Sequence, residues 1–463
     1  MGSIRENFMI LAIVSLTSFT ISFGGSSLNL AIPIMQIDLQ ADSSTMSWFV
    51  TIYILATAMF QIPFAKLSDI FDRKIIYLLG LFIFSISCIM VVLTKNISLL
   101  LILRFLQGFG GALIFATGTA ILANTFSPEI KGKVFGINIS SVYFGLTTGP
   151  VIGGLIVSFF SWKGIFVVTA SLGALSLILL LIKVDIRQER ISNEKFDYLG
   201  ALFYTLTLFT LLYGFRILPN NVGYILIGGS VLFSIFFIFW ETRVTSPLIQ
   251  LSIFKNNRFF TFANLTSITY YTSVTAIAFL INLFLQNVKN FSPQFVGFIL
   301  LTRPLSQALV SPFGGLLSDK IEHRILTTIG TILGAIGLFI FIFLNANTPL
   351  YLILLSLVIG GVGFGLFSSP NTNSIMSGVE RKYYNTASAL IGTMRTIGQT
   401  MSMGIVTITF SVLIGKEQVG SNIYNEKLIY SINTLFTIFL GICLVSSIFS
   451  YLRGKQLTKT GIE

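Results

Sequence analysis

Apolar runs of 18 or more residues follow one another along almost the whole chain, separated by short polar turns. Each run is long enough to cross a hydrocarbon core of about 30 Å as an α-helix. None shows the weak alternation over about ten residues that marks a barrel strand. The pattern predicts about fourteen helices, over residues 8–33, 47–66, 75–94, 97–125, 133–160, 164–183, 198–216, 222–241, 258–286, 294–317, 325–345, 349–376, 385–413 and 428–452. Residues 1–33 look like a signal peptide at first. The apolar part is too long for one and further spans follow at once, so it reads as the first transmembrane helix. The longest hydrophilic stretch, roughly 183–197, leaves no soluble domain.

Composition sharpens this picture. Only 10% of the 463 residues are charged and 54% are hydrophobic, against about 25% charged in a soluble domain. The chain is therefore expected to be an all-α integral membrane protein. Its net charge of +12 does not indicate nucleic acid, because the cations are spread over short loops.

Their distribution predicts an orientation. With the amino terminus inside, the cytoplasmic segments hold Arg5, Lys66, Arg73, Lys74, Lys131, Lys133, Lys183, Arg187, Arg190, Lys195, Arg243, Lys255, Arg258, Lys320, Arg324, Arg381, Lys382, Arg453, Lys455 and Lys459. The outer loops hold only Lys95, Lys163, Arg216, Lys289, Lys416 and Lys427. That is the positive-inside asymmetry, with both termini cytoplasmic. Cys88 and Cys443 lie within apolar runs and His323 is the sole histidine, so neither a disulfide framework nor a metal site is expected. No phosphate-binding G-x-x-x-x-G-K-[ST] loop and no nucleophile–base constellation occurs, which argues against ATP hydrolysis and against an enzyme.

Two loops repeat. "AKLSDIFDRK" (65–74) and "GLLSDKIEHR" (315–324) each follow a hydrophobic helix, keep Leu-Ser-Asp, carry an acid three residues on and close with basic residues. Both fall on the predicted cytoplasmic side. A repeated loop on one side implies a parallel duplication, which in transporters places the pathway between two bundles.

With these motifs the chain resembles the major facilitator superfamily, in particular its fourteen-helix drug:proton antiporter branch of multidrug efflux transporters. "AKLSDIFDRK" is similar to the loop pattern between helices 2 and 3, and "LILRFLQGFGGA" (101–112) to the fourth-helix pattern R-x-x-q-G-x-g-a. "GLTTGPVIGG" (145–154) matches the antiporter signature G-x-x-x-G-P-x-x-G-G at every fixed position, and "SWKGIF" (161–166) follows it. "NLAIP" (29–33), "SWFVTIYIL" (47–55), "FDYLGA" (196–201) and "FLQNVKNFSPQFVGFILL" (284–301) add weaker likenesses. The resemblance covers nearly the whole chain. It implies a six-helix bundle over 1–183, two linker helices with cytoplasmic loops over 184–257, and a second six-helix bundle over 258–463.

The resemblance also implies a conformational apparatus. Asp69, Arg73 and Lys74, with Asp319 and Arg324 in the second copy, would form a cytoplasmic latch; solvated loop charges are the plain alternative. Ala65 and Asp72 stand where the loop pattern has glycines, and Glu322 stands at the equivalent of Asp72. An acid at that point should alter both turn geometry and charge balance. Gly145, Gly149 and Gly153 recur every four residues, with Gly154 beside them, and form a smooth seam that lets a neighbouring helix approach closely. Pro150 removes one backbone bond to Leu146 and bends the helix. Such a bent, close-packed helix suits a rocking contact between the halves, or a static packing motif.

Three cations lie within spans: Arg104, Arg303 and Arg395. Each costs about 2.5–3.5 kcal/mol or more in hydrocarbon, so each should face a cavity or a partner. Arg104 shares a face with Gln107, Gly108 and Gly111; Arg303 with Ser306 and Gln307; Arg395 with Ser388, Gly392, Gln399 and Ser402. For Arg104, snorkelling to the membrane surface stays open as a second reading. Tyr143, Tyr270 and Tyr271 are further pocket candidates, because a hydroxyl inside a membrane needs a partner.

The family's first helix usually carries an intramembrane aspartate. Here Gly24 occupies that position, with Ser22, Ser26 and Asn29 as a polar stripe that does not titrate near neutral pH. No Asp or Glu lies deep in any span, so proton coupling through a buried carboxylate is in doubt. The cavity is expected to be electropositive and to favour neutral, amphiphilic or anionic substrates.

The expected protein is thus a secondary exporter of small amphiphilic molecules working by alternating access, a monomer without cofactor or metal, in a prokaryotic plasma membrane. Its partners would be a small-molecule substrate, the lipid bilayer and protons if coupling exists. An exporter of an anionic metabolite or lipid-like compound is the alternative within the class. A non-transporting receptor or scaffold of the same fold is the alternative outside it.

Overall fold

A computed structural model describes residues 2–41, 43–183, 195–414 and 422–454. Arg187, Arg190, Lys416, Lys455 and Lys459 lie outside the described residues, as do the side chains of Arg5, Asn29 and Lys183. The helices are α1 (Gly2–Asp38), α2 (Ser43–Ile70), α3 (Arg73–Leu93), α4 (Ile97–Thr125), α5 (Lys131–Phe160), α6 (Lys163–Lys183), α7 (Tyr198–Ile217), α8 (Asn221–Glu241), α9 (Ser252–Asn256), α10 (Arg258–Val274), α11 (Ile277–Leu283), α12 (Pro293–Ser318), α13 (His323–Phe341), α14 (Leu350–Ser377), α15 (Tyr384–Leu413) and α16 (Asn422–Leu452). Among the described residues, fourteen helical spans are long and apolar enough to cross a membrane, and no strand occurs.

The faces of these helices follow from lipid as solvent. On α3 the stripe Ile75, Leu79, Phe82, Ile86, Ile89 and Leu93 is exposed, although every member is apolar. In water such a stripe would be a large sticky patch; in a bilayer it is the surface that meets acyl chains. The opposite face buries Ile76, Tyr77, Gly80, Phe84, Cys88 and Val91. On α13 the exposed stripe is Ile325, Ile329, Ile332, Ile336 and Phe339, continued by Phe343 just beyond the helix, and the buried face runs from His323 to Phe341. Each buried position of α13 falls 250 residues after one of α3, from Arg73 and His323 to Val91 and Phe341. The repeat suspected from two loops therefore extends through the packing of whole helices.

The described chain divides into two compact units. The first comprises Met1–Leu208, Phe233–Leu251 and Val379–Thr393; the second comprises Phe209–Leu232, Ser252–Gly378 and Met394–Glu463. In the first, the glycines of α5 explain its closest contact. A Cβ on Gly145 would stand 2.7 Å from the Phe19 carbonyl oxygen, one on Gly149 2.7 Å from Ser26 Cβ, and one on Gly153 2.6 Å from Ser27 Cβ. The seam thus closes on α1, inside a single unit. Gly154, one residue on, is half-buried.

Pro150 has no N–H to offer the Leu146 carbonyl. The Ser26 hydroxyl takes that place and donates to Leu146 O at 2.9 Å, while Ser27 donates to Gly149 O at 2.9 Å. In hydrocarbon an orphaned carbonyl costs several kcal/mol, so these serines of α1 complete the backbone of a neighbour interrupted by proline.

The acid at the loop position expected to distort a turn does no such thing. Asp72 has φ −61° and ψ 126°, open to any residue, and its carboxylate accepts the Lys74 N–H at 2.7 Å as the N-cap of α3. An acid suits a helix start better than glycine does. Its counterpart Glu322 precedes α13 and pairs with Arg324 at 3.2 Å.

At its other end the first unit is stapled by Asp38, which accepts from Trp162 Nε1 at 3.0 Å and from Lys95 Nζ at 3.2 Å. The indole bond first, and the Lys95 ammonium second, hold the Asp38 carboxyl below the usual carboxylate range.

Gly149→Val should cost about 1–3 kcal/mol by overpacking the seam, and Ser26→Ala about 1–3 kcal/mol by orphaning Leu146 O; thermal unfolding in detergent measures both. Because the folded pKa of Asp38 is depressed, its contribution is present above the ordinary value of about 3.9 and lost as pH falls through the lower folded value. Asp38→Asn should be less stable than the parent at pH 6, and the gap should close in acid.

Candidate functional site

A cleft inside the first unit gathers Gly24 and Gly25 from α1, Tyr53 from α2, Cys88 from α3, Arg104 and Gln107 from α4, and Thr169 from α6. The space it leaves is small, about 20 Å³, room for a water-sized group. Small residues bring its walls together. A Cβ on Gly108 would lie 2.4 Å from the Tyr53 carbonyl oxygen, so α4 and α2 meet backbone to backbone one residue after Gln107.

That approach lets Arg104 reach across. Its Nε donates to Phe49 O at 3.2 Å, its Nη1 donates to Gln107 Oε1 at 2.6 Å, and the guanidinium lies 4.5 Å from the Tyr53 ring centre and 5.4 Å from that of Phe49. Arg104 is 6% exposed. Snorkelling is therefore not how its charge is accommodated: a carbonyl, an amide and two aromatic faces hold it within the bundle. Among the described residues no carboxylate pairs with it.

Gln107 is fully buried, and its Nε2 has no hydrogen-bond partner. Gly24, at the position where the resemblance leads one to expect an acid, is half-buried; a Cβ there would meet Thr169 Oγ1 at 3.1 Å. Gly25 faces open space. Ser26 turns to α5, as described above.

The second unit holds a related but tighter cleft, with no room for a water-sized group, lined by Arg303, Gly334, Leu338, Leu357 and Gly360 among others. By the repeat, Arg303 corresponds to Tyr53, Gly334 to Phe84 and Leu338 to Cys88. On α14 the buried positions follow those of α4 by 253 residues, so Leu357 corresponds to Arg104 and Gly360 to Gln107. The cation has changed walls. Arg303 Nη1 donates to Val274 O at 2.7 Å, at the carboxyl end of α10, where a cation is favoured.

There the ninth span, read from the sequence as one helix, is interrupted. It runs as α10, a turn at 275–276, α11 and a π-helical turn over Phe284–Val288. The Ser402 hydroxyl accepts the Ala276 N–H at 3.2 Å. Hydrophobic periodicity does not reveal such a break. The local signal is the run Thr272–Thr275, whose short polar and β-branched side chains favour the helix weakly.

Of the other residues singled out in the sequence, Gln307 is buried in the second unit. Tyr270 is fully buried there, 4.4 Å from the Phe367 ring centre, with its hydroxyl 3.4 Å from Gly330 O. The structure thus places Tyr270 in the packed interior of α10, α13 and α14. Tyr143 is buried in α5, and Arg395 and Gln399 are half-buried on α15.

The predicted latch residues are not simply solvated. Arg73 is 2% exposed and lies 3.8 Å from Asp69, which also accepts from Asn385 Nδ2. Nearby, Lys131 Nζ donates to the Tyr384 hydroxyl at 2.9 Å and sits 4.8 Å from its ring centre. Asn385 and Tyr384 carried no signal in the sequence. Asp319 caps the end of α12 and Lys74 begins α3 beside Asp72.

Asp197 and Glu241, the two carboxylates buried among the described residues, serve as local anchors. Asp197 accepts from Gly200 N and Trp240 Nε1, and Glu241 from Leu248 N and Ile249 N. Arg453, which the loop count treated as an ordinary cytoplasmic charge, is buried among Asn371, Ser374 and Ser450, and burial pushes its pKa down to about 9.

Compared with known proteins, the chain matches the family described as Major Facilitator Superfamily over residues 14–403 and 263–459. It is 31% identical over 425 residues to the riboflavin transporter RibZ of Clostridioides difficile (strain 630), covering 91% of each chain. It is 29% identical to the multidrug resistance protein Stp of Mycobacterium tuberculosis (strain CDC 1551 / Oshkosh), over 87% of this chain and 75% of that one. The human organic anion transporter MFSD10 (TETRAN) shares the fold, with a TM-score of 0.68 at 13% identity over 97% of this chain and 100% of the other.

Proposed function

The chain belongs to the Major Facilitator Superfamily, and on that premise we propose that it exports small amphiphilic molecules from the cytoplasm by alternating access, as multidrug-type efflux carriers do. It is a multi-pass membrane transporter and not an enzyme. The observation that carries the export reading is the Arg104 cleft, a polar site buried in the middle of apolar spans and opened by glycines on α1. Relatives named for multidrug resistance and for riboflavin transport support a small organic cargo.

The loop-charge bias supports cytoplasmic termini in a prokaryotic plasma membrane, and a single chain is the working unit of this proposal. The Asp69–Arg73–Asn385 cluster with Lys131–Tyr384 would hold one conformational state until substrate shifts the balance. Coupling does not pass through a carboxylate at the Gly24 position, because glycine stands there.

The absence of an acid beside Arg104 favours a second reading, export of an anionic metabolite or lipid-like compound. Reconstitution tests the proposal. Proteoliposomes carrying the protein should move riboflavin or a fluorescent amphiphilic dye across the bilayer faster than empty vesicles; failure with both would refute export. An imposed pH gradient should leave the parent rate nearly unchanged. If instead the parent follows the gradient, and Gly24→Asp follows it no better, a proton site elsewhere in the chain drives transport.

A further inference from the structure

We infer that the Arg104 cleft recognises substrates by a pair of hydrogen-bond acceptor oxygens, with a carboxylate as the preferred polar end; this rests on the export reading above.

The hydrogen-bonding capacity of the cleft is one-sided. A guanidinium has five N–H donors and no acceptor. Arg104 uses Nε on Phe49 O and Nη1 on Gln107 Oε1, and its Nη2 makes no hydrogen bond among the described residues. Because Nη1 can only donate, it settles the orientation of the Gln107 amide: Oε1 faces the arginine and the Nε2 amino group is turned away. That amino group is fully buried and unbonded. A buried donor left without a partner is unfavourable, and a ligand oxygen would satisfy it.

The remaining lining offers no competing acid. Cys88 is buried, and Thr169 gives its proton to Ile165 O at 2.7 Å. Gly25 has open space where a side chain would stand. A cationic ligand would meet a guanidinium and no counter-charge. An oxyanion would meet Arg104 and Gln107 together, two donors three residues apart on one helix face. Planar carboxylates match the guanidinium edge.

The second unit shows what this arrangement lacks there. At the Gln107 position stands Gly360, at the Arg104 position Leu357, and Arg303 is engaged by Val274 O. The donor pair thus belongs to the first unit alone, and recognition of the polar end is assigned to that unit.

Three dansyl amides of equal length, ending in a carboxylate, a methyl ester or a trimethylammonium, provide the test. Binding to the purified full-length protein is read by energy transfer from its tryptophans. The carboxylate should bind about tenfold tighter than the trimethylammonium or better, the scale of one charge-assisted hydrogen bond. Gln107→Glu places a carboxylate on Arg104 within the protein, so it should abolish the preference for the carboxylate over the trimethylammonium. Gln107→Leu, which keeps the arginine and removes the amide, should weaken the carboxylate more than the trimethylammonium, and secures the test if the Glu variant does not fold.

Equal binding of the three probes, no binding, or a carboxylate preference that survives both variants would overturn the inference. Transport of the same probes in proteoliposomes separates it from the export reading. Selective binding without movement refutes export and leaves the site; movement without charge preference refutes the site and leaves export.

Discussion

Burying the Arg104 guanidinium in a bundle of apolar helices costs at least a few kcal/mol, and no carboxylate shares the burden among the described residues. The charge is held by the Phe49 carbonyl, the Gln107 amide and the faces of Tyr53 and Phe49. Those partners reach it because Gly108 lets α4 lie directly on α2. A neutral set of acceptors leaves the site with its positive charge uncancelled. An acid at the Gly24 position would add a negative charge to the same cleft and weaken its preference for anions. Glycine there therefore shapes chemistry as well as space.

The internal repeat shows how one scaffold acquires two different sites. Buried and lipid-facing positions of α3 recur on α13 with a constant offset, because both helices solve the same packing problem against a central neighbour and against lipid. Substitution within that frame moved the cation from α4 in the first unit to α12 in the second. In one unit it stacks on a tyrosine; in the other it stands in the tyrosine's place and binds the carbonyl end of an interrupted helix. The scaffold tolerates either wall, since each offers a nearby backbone oxygen to receive the charge.

Backbone accounting explains much of the remaining polarity. In a bilayer every N–H and C=O must find a partner within the protein. Ser26 serves the carbonyl that Pro150 frees, and Ser402 serves an N–H at the break between α10 and α11. Polar stripes on transmembrane helices are often taken for a transport path. On α1 the stripe divides: Ser26 and Ser27 complete α5, while Gly24 and Gly25 open the cleft.

The amino-acid sequence by itself determined the membrane class, the spans, the duplication and the presence of Arg104 within a span. These depend on the hydropathy of contiguous residues or on short repeated strings, and both survive without knowledge of neighbours. Only the tertiary structure decided that the α5 glycines close on α1, that Asp69 meets Asn385, that the ninth span is broken, and that the two arginines lie on opposite walls of equivalent clefts. Each of those depends on which helix face is presented to which other helix. A chain of apolar residues encodes that choice in the shape of its small side chains, such as Gly108 and Gly149, and in the few polar groups that must be satisfied once the helices have met.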